Sequence, residues 1–162
     1  MVIAFEIKTF VVSIDDIDID LLEQTWHILI SKKTGFKYVR TAVKRNGKFH
    51  GQLMHRLILA RKLGRELLAT ELCDHADGDT FNNQRSNLRV ATNTQNNVNS
   101  RVYKNNKLGV KGVRQTKRGK FEARIRVNKK LITLGYFDTS EEAHEAYVTA
   151  AKKHHGEFAN SG

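Results

Sequence analysis

Residues 73–99, CDHADGDTFNNQRSNLRVATNTQNNVN, are too polar to be buried as one regular element, and this restricts the fold more than any other feature of the chain. The stretch holds seven asparagines, Asn82, Asn83, Asn87, Asn93, Asn96, Asn97 and Asn99. A buried amide needs partners for both its carbonyl and its NH₂ group, so some of these are held for geometry or for binding. Asp, Asn, Gly and Ser dominate residues 74–86, which reads as a loop. NLRVA (87–91) reads as a short strand, and Thr92 or Thr94 can cap a helix through TQNNVNSR. The pattern therefore predicts a ββα unit: Asp74 and His75 leave the first strand, and Asn96 projects toward them from the helix.

The rest of the chain divides around this stretch. VIAFEI and KTFVVSI are rich in strand formers, and FKYVRTAVKRNGKFHGQLMH predicts a hairpin about Asn46-Gly47. Between them, alternating Asp16, Asp18 and Asp20 invite a calcium-loop reading. It fails, because the sixth and twelfth positions, which need glycine and glutamate, are Leu21 and His27. The acids then read as a solvated face or as helix N-terminal charges. Leu53, Leu57, Ile58 and Ala60 predict a short amphipathic helix ending at Gly64. After a polar connector, GVKGVRQT, KFEARIRVN and KLITLGYF predict a three-stranded antiparallel meander. Alternation puts Phe121, Ala123, Ile125 and Val127 on a packing face and Glu122, Arg124, Arg126 and Asn128 on the other. A helix follows, with Thr139 and Glu142 in capping-box spacing and Ala143, Ala146, Tyr147, Ala150 and Ala151 on one stripe.

Charge suggests the partner. Residues 101–130 hold twelve Lys and Arg against one acid, Glu122, a net of +11 that equals the net charge of the whole chain. A solvated face explains scattered basic residues, but this concentration points to a polyanion, nucleic acid first. One cysteine, Cys73, excludes an internal disulfide framework and a Cys₄ zinc site and suggests a reducing compartment, the cytoplasm. The start MVIAFEIKTF lacks a basic n-region, and no apolar run approaches a membrane span, so a soluble, unexported protein with no membrane partner is expected. We have no physical account of the absence of proline.

An Asp-His pair by itself is most simply a turn capping its own backbone. With the asparagines beside it, the pair suits phosphodiester hydrolysis. Asp74 can supply an anionic ligand and Asn96 a neutral one to a single Mg²⁺ or Mn²⁺ ion, which otherwise prefers water and phosphate oxygens. His75 can take the proton of an attacking water. Asn87 can brace the loop so that His75 is oriented. Asn97 or Asn99 replaces Asn96 if the helix register differs.

This stretch, with DH, DG, NN, NLR and the later asparagine in place and MHRLI upstream, resembles the HNH endonuclease motif in its phage and intron homing branch. The resemblance covers residues 50–101. It implies that Asp74, His75, Asn87 and Asn96 are metal ligand, general base, brace and second ligand; His55 also matches, although a histidine on a half-apolar helix commonly only packs. GVRQTKRGKFEARIRV, LGYFDTSEEAHEAY and AAKKHHGEFAN are similar to the ethylene-response-factor (Apetala-type) DNA-binding domain over residues 108–160. That resemblance implies a sheet entering the DNA major groove, with Arg114, Lys120, Arg124 and Arg126 at matching positions. Phe121 stands where tryptophan is common and Val148 where aspartate is usual, so the base preference of the plant domains does not transfer. Lys117, Arg118 and Lys130 join the same DNA surface, and the lysines at 104, 107, 111, 117, 129 and 130 suit phosphate contacts.

The expectation is an α+β protein: a ββα-metal HNH nuclease domain (1–103) followed by a three-stranded antiparallel sheet packed on one helix (104–162). It is expected to be a phage-type homing endonuclease acting on double-stranded DNA as a monomer or homodimer, with no small-molecule cofactor. The rivals are a non-catalytic, sequence-specific DNA-binding regulator with a degenerate HNH fold, and an RNA-directed protein. A deep, narrow A-form major groove disfavours the last.

Overall fold

The computed structural model describes residues 1–32, 34–100, 102 and 106–161; Arg101 and Lys104 of the basic segment lie outside the described residues. The chain is mixed α+β and forms two compact units, Met1–Asn93 and Thr94–Gly162. Among the described residues no helix is long and apolar enough to cross a membrane.

The first unit begins with a hairpin of β1 (Val2–Ile7) and β2 (Phe10–Asp15). A 3₁₀ segment (Asp16–Glu23) leads to β3 (His27–Ile30), a strand that the sequence reading does not anticipate. β4 (Lys37–Arg45) pairs with β3 on one side and with β5 (Lys48–Leu53) on the other. Asn46 and Gly47 turn the predicted hairpin with positive φ values of 51° and 76°, as a two-residue turn of this hand requires. α1 (Met54–Leu63) ends where expected: Gly64 takes φ 67° and its N–H caps the Ala60 and Arg61 carbonyls. Its buried face is shifted from the predicted one. Leu53 completes β5, and Met54, His55, Ile58 and Leu59 turn inward. Met54, Ile58 and Leu59 join Val12, Ile14, Leu21, Trp26, Val39 and Leu88 in one core, so the N-terminal third completes the core of this unit.

Asp16 and Asp20 are exposed, as expected of a solvated face, but Asp18 departs from that expectation. Asp18 is wholly buried and accepts Arg85 Nε at 2.7 Å and Nη2 at 2.9 Å, with Arg61 Nη1 at 3.4 Å. Asp20 takes the Arg61 fork at 2.7 Å on each oxygen, and Asp16 pairs with the N-terminal amine. A carboxylate without solvent must be paired, and two arginines distant in sequence meet that need here.

β6 (Leu72–His75) and β7 (Leu88–Ala91) form a short antiparallel pair, and α2 (Asn93–Asn99) follows. In the second unit, β8 (Val113–Gln115), β9 (Phe121–Val127) and β10 (Lys130–Phe137) make the predicted meander with β9 central. α3 (Ser140–His155) starts in the predicted capping box and buries Ala143, Tyr147 and Ala151. Gly112 has φ 71°, and a Cβ there would stand 2.0 Å from the Tyr147 ring, so only glycine lets β8 come this close to the helix. α2 is tied to this unit by its last residues: Lys111 Nζ donates to the Val98 carbonyl at 3.1 Å, and Asn160 Nδ2 donates to the Asn99 carbonyl at 2.8 Å.

Candidate functional site

β6 ends on the two residues singled out by sequence. Asp74 lies opposite Arg89 in the β6–β7 register, and Arg89 Nε donates to Asp74 Oδ2 at 2.9 Å. Both acid and imidazole are buried. His75 Nε2 stands 3.4 Å from Asn83 Oδ1, and Asn83 Nδ2 donates to the Phe81 carbonyl at 3.1 Å. That second bond turns the amide oxygen toward the imidazole, a contact that suits the tautomer protonated on Nε2. Burial pushes the His75 pKa below its ordinary value, against the raising effect of the Asn83 bond and of Asp77, Asp74 and Asp79. The ring is therefore neutral at physiological pH, the state a general base needs.

The loop from 76 to 87 is wound around Asp77. Its carboxylate accepts the Asp79 N–H at 2.8 Å, Asn87 Nδ2 at 2.9 Å and Asn82 Nδ2 at 2.8 Å. Burial raises the Asp77 pKa, but these bonds together outweigh it and hold the carboxyl below its usual value. Asn87 also accepts the Asp77 N–H at 3.0 Å and donates to the Asn82 carbonyl at 2.8 Å. Asn87 thus spans the loop, while the side chain that meets His75 is Asn83. Asn83 is fully buried, and its backbone N–H donates to the Ser13 carbonyl of β2 at 2.8 Å. Neither Asn83 nor Arg89 nor Asp77 stands out in the sequence as a partner. The only local signal was the Asp-Gly-Asp turn chemistry at 77–79.

His55 packs between Tyr38 and His75, with ring centroids 5.4 Å and 5.1 Å away and an edge-on approach to His75. Burial, with Coulombic effects of His75 and Arg56, pushes its pKa down to about 3. Asn96 lies half-buried on α2, Asn97 is exposed, and Asn99 is buried against Asn160.

On the sheet of the second unit, Arg114, Lys117, Arg118, Lys120, Arg126 and Lys130 are exposed and Arg124 is half-buried. Lys120 pairs with Asp138. Two residues depart from the expected pattern. Glu122, placed by alternation on the solvent face, is buried beneath Arg114. Lys111 spends its ammonium on the Val98 and Asn160 carbonyls, and burial lowers its pKa to about 8, so it serves as an internal pin and not as a phosphate contact. A further basic surface was masked in the net charge because acids elsewhere offset it. Residues 24–65 contain eleven Lys and Arg and no acid. On the β4–β5 hairpin, Arg40, Lys44, Arg45 and Lys48 are exposed beside Phe49.

Comparison with known proteins agrees with both resemblances, in the expected order. Residues 52–98 match the family model described as HNH endonuclease, and residues 108–157 match that described as AP2 domain. The chain is 31% identical over 106 residues to an uncharacterized HNH endonuclease of Acanthamoeba polyphaga mimivirus. The match covers 65% of this chain and 54% of that protein, so the chain spans about half the length of its relative.

Proposed function

We propose that the chain is a site-specific, divalent-metal-dependent DNA endonuclease of the mobile, phage-type homing kind, with residues 1–103 as nuclease domain and 104–162 as DNA-docking domain. The observation that carries this reading is the buried, adjacent Asp74 and His75 at the end of β6, with the imidazole oriented by buried Asn83.

The donor set fits a hard ion. Among the described residues no group of three or more His, Cys, Asp or Glu side chains is placed to hold a metal, which zinc would need. Mg²⁺ or Mn²⁺ takes one or two protein oxygens and keeps its waters, which suits the Asp74 carboxylate and the Asn96 carbonyl oxygen, one ion per site. Engagement of Asn99 by Asn160 supports Asn96 over Asn99. When bound, such an ion supplies charge stabilisation at the phosphate and the leaving oxygen. His75 accepts the proton of the attacking water. Asn83 holds the ring, Asn87 holds the loop that carries Asn83, and Arg89 holds Asp74. Arg114, Arg124 and Arg126 face base edges, while Lys117, Arg118, Lys120 and Lys130 meet the phosphates of duplex DNA. The basic β4–β5 hairpin, on the same unit as Asp74 and His75, adds phosphate contacts. A monomer nicks one strand, and a dimer cuts both.

One observation favours a second reading, a non-catalytic DNA-binding regulator: Arg89 already neutralises Asp74. Incubation of supercoiled phage DNA with Mg²⁺ decides between them. Cleavage by wild type, abolished by EDTA and reduced about 10²- to 10⁴-fold in His75→Ala with DNA binding intact, supports the nuclease. Undiminished cleavage by His75→Ala removes the general-base role, and no cleavage by wild type favours the regulator. Arg124→Ala with Arg126→Ala weakens binding and leaves the cleavage machinery in place.

A further inference from the structure

The meander carries a buried acid on the face that sequence alternation gives to guanidinium groups. Glu122 is 6% exposed. Its Oε2 accepts Arg114 Nε at 3.0 Å and Nη2 at 2.6 Å, and its Oε1 accepts the Thr133 hydroxyl at 3.0 Å. Arg114 is its register partner on β8, and Thr133 lies on β10, so the clasp crosses all three strands. The Arg114 and Thr133 bonds hold the carboxyl below its usual range, and it is ionised.

Neither stability nor affinity accounts for this acid. Burying a carboxylate carries a desolvation cost that an ion pair commonly only offsets. An anion beneath a DNA-facing surface also repels phosphate. What the clasp does provide is a fixed orientation. A guanidinium has five N–H donors in one plane. Glu122 takes two of the Arg114 donors from the Nε edge, and the remaining three belong to a side chain that is 56% exposed. With Thr133 holding its second oxygen, the carboxylate cannot swing away. An arginine free to rotate serves phosphates and bases alike, whereas a fixed fork matches the paired N7 and O6 acceptors of guanine in the major groove.

We infer that Glu122 is the residue that sets base specificity on this sheet: it positions Arg114 to read one guanine of duplex DNA instead of a phosphate. The inference rests on the reading of the sheet as the DNA-docking surface. Full-length wild type, Glu122→Gln, Thr133→Val and Arg114→Ala are each used to select from a pool of random-sequence duplexes at low salt. Wild type enriches a motif with a required guanine. Arg114→Ala loses about 5- to 150-fold discrimination at that position alone. Glu122→Gln, which keeps the side-chain shape, relaxes the same position by about tenfold without losing affinity for unselected duplex. Thr133→Val relaxes that position less. A Glu122→Gln motif unchanged at the Arg114 position overturns the inference, as does weakening at all positions together with a lowered unfolding temperature. Salt-sensitive binding by wild type without base preference overturns the Glu122 role alone. Failure of wild type to retain any duplex overturns the docking reading, and the inference with it.

Discussion

Replacing Asp18 by asparagine tests how the N-terminal segment holds the site. The carboxylate is 0% exposed and receives two short bonds from Arg85, at 2.7 Å and 2.9 Å, plus a longer one from Arg61 at 3.4 Å. Breaking a fully buried pair costs about 3–5 kcal/mol. Arg85 and Arg61 are 26% and 32% exposed, so both can recover water, and Arg61 keeps Asp20. The expected loss is therefore about 2–3 kcal/mol for Asp18→Asn. With a urea slope of about 1–3 kcal/mol per molar, the midpoint falls by roughly 0.7–3 M. Trp26 is the only tryptophan, is 7% exposed and donates to the Leu21 carbonyl at 2.7 Å, so its fluorescence follows the first unit. In a double-mutant cycle with Arg85→Leu, most of the loss should appear as coupling. A loss below about 0.5 kcal/mol, or two additive losses, refutes the claim that this pair holds the loop to the N-terminal segment.

Further outcomes are expected. Asn83→Ala lowers the cleavage rate by about 10- to 100-fold while DNA affinity stays the same, as measured by single-turnover kinetics beside a binding titration. His55, with a native pKa of about 3 against an ordinary 6.5, binds fewer protons folded than unfolded between those values. Stability of the first unit therefore falls as pH drops below about 6, by up to about 1.4 kcal/mol per pH unit, and His55→Leu flattens the Trp26-monitored profile. Burial pushes the Cys73 thiol up to about 12, so iodoacetamide at mildly alkaline pH leaves it unmodified until urea unfolds the chain. DNA affinity falls about a thousandfold between about 50 and 200 mM salt if about six phosphates are neutralised, as read by a filter-binding series.

Features written in local patterns were legible in the sequence. Asn46-Gly47, Gly64, the Thr139–Glu142 box and the alternation of β9 each rest on residues a few positions apart, and each element forms where they place it. The placement of Asp74 and His75 at the end of a strand was legible too, because it is itself local. What escaped were pairings across long stretches of chain. Asp18 with Arg85 and Ser13 with Asn83 depend on how β2 docks against the loop, and no spacing rule encodes that. Glu122 escaped for another reason: alternation assigns a face, but not whether an arginine on the neighbouring strand lies over it.

The attachment of α2 bears on how such proteins can be recombined. Thr92 alone separates β7 from α2, yet the helix is held by Lys111 and Asn160 from the far side of the connector. A crossover between residues 99 and 108, in the interval between the two family matches, would leave the helix upstream and these two anchors downstream. Replacing the C-terminal stretch therefore also replaces the mooring of the helix that carries Asn96. The two matched stretches therefore recombine without loosening α2 only where Lys111 and Asn160 are kept with it.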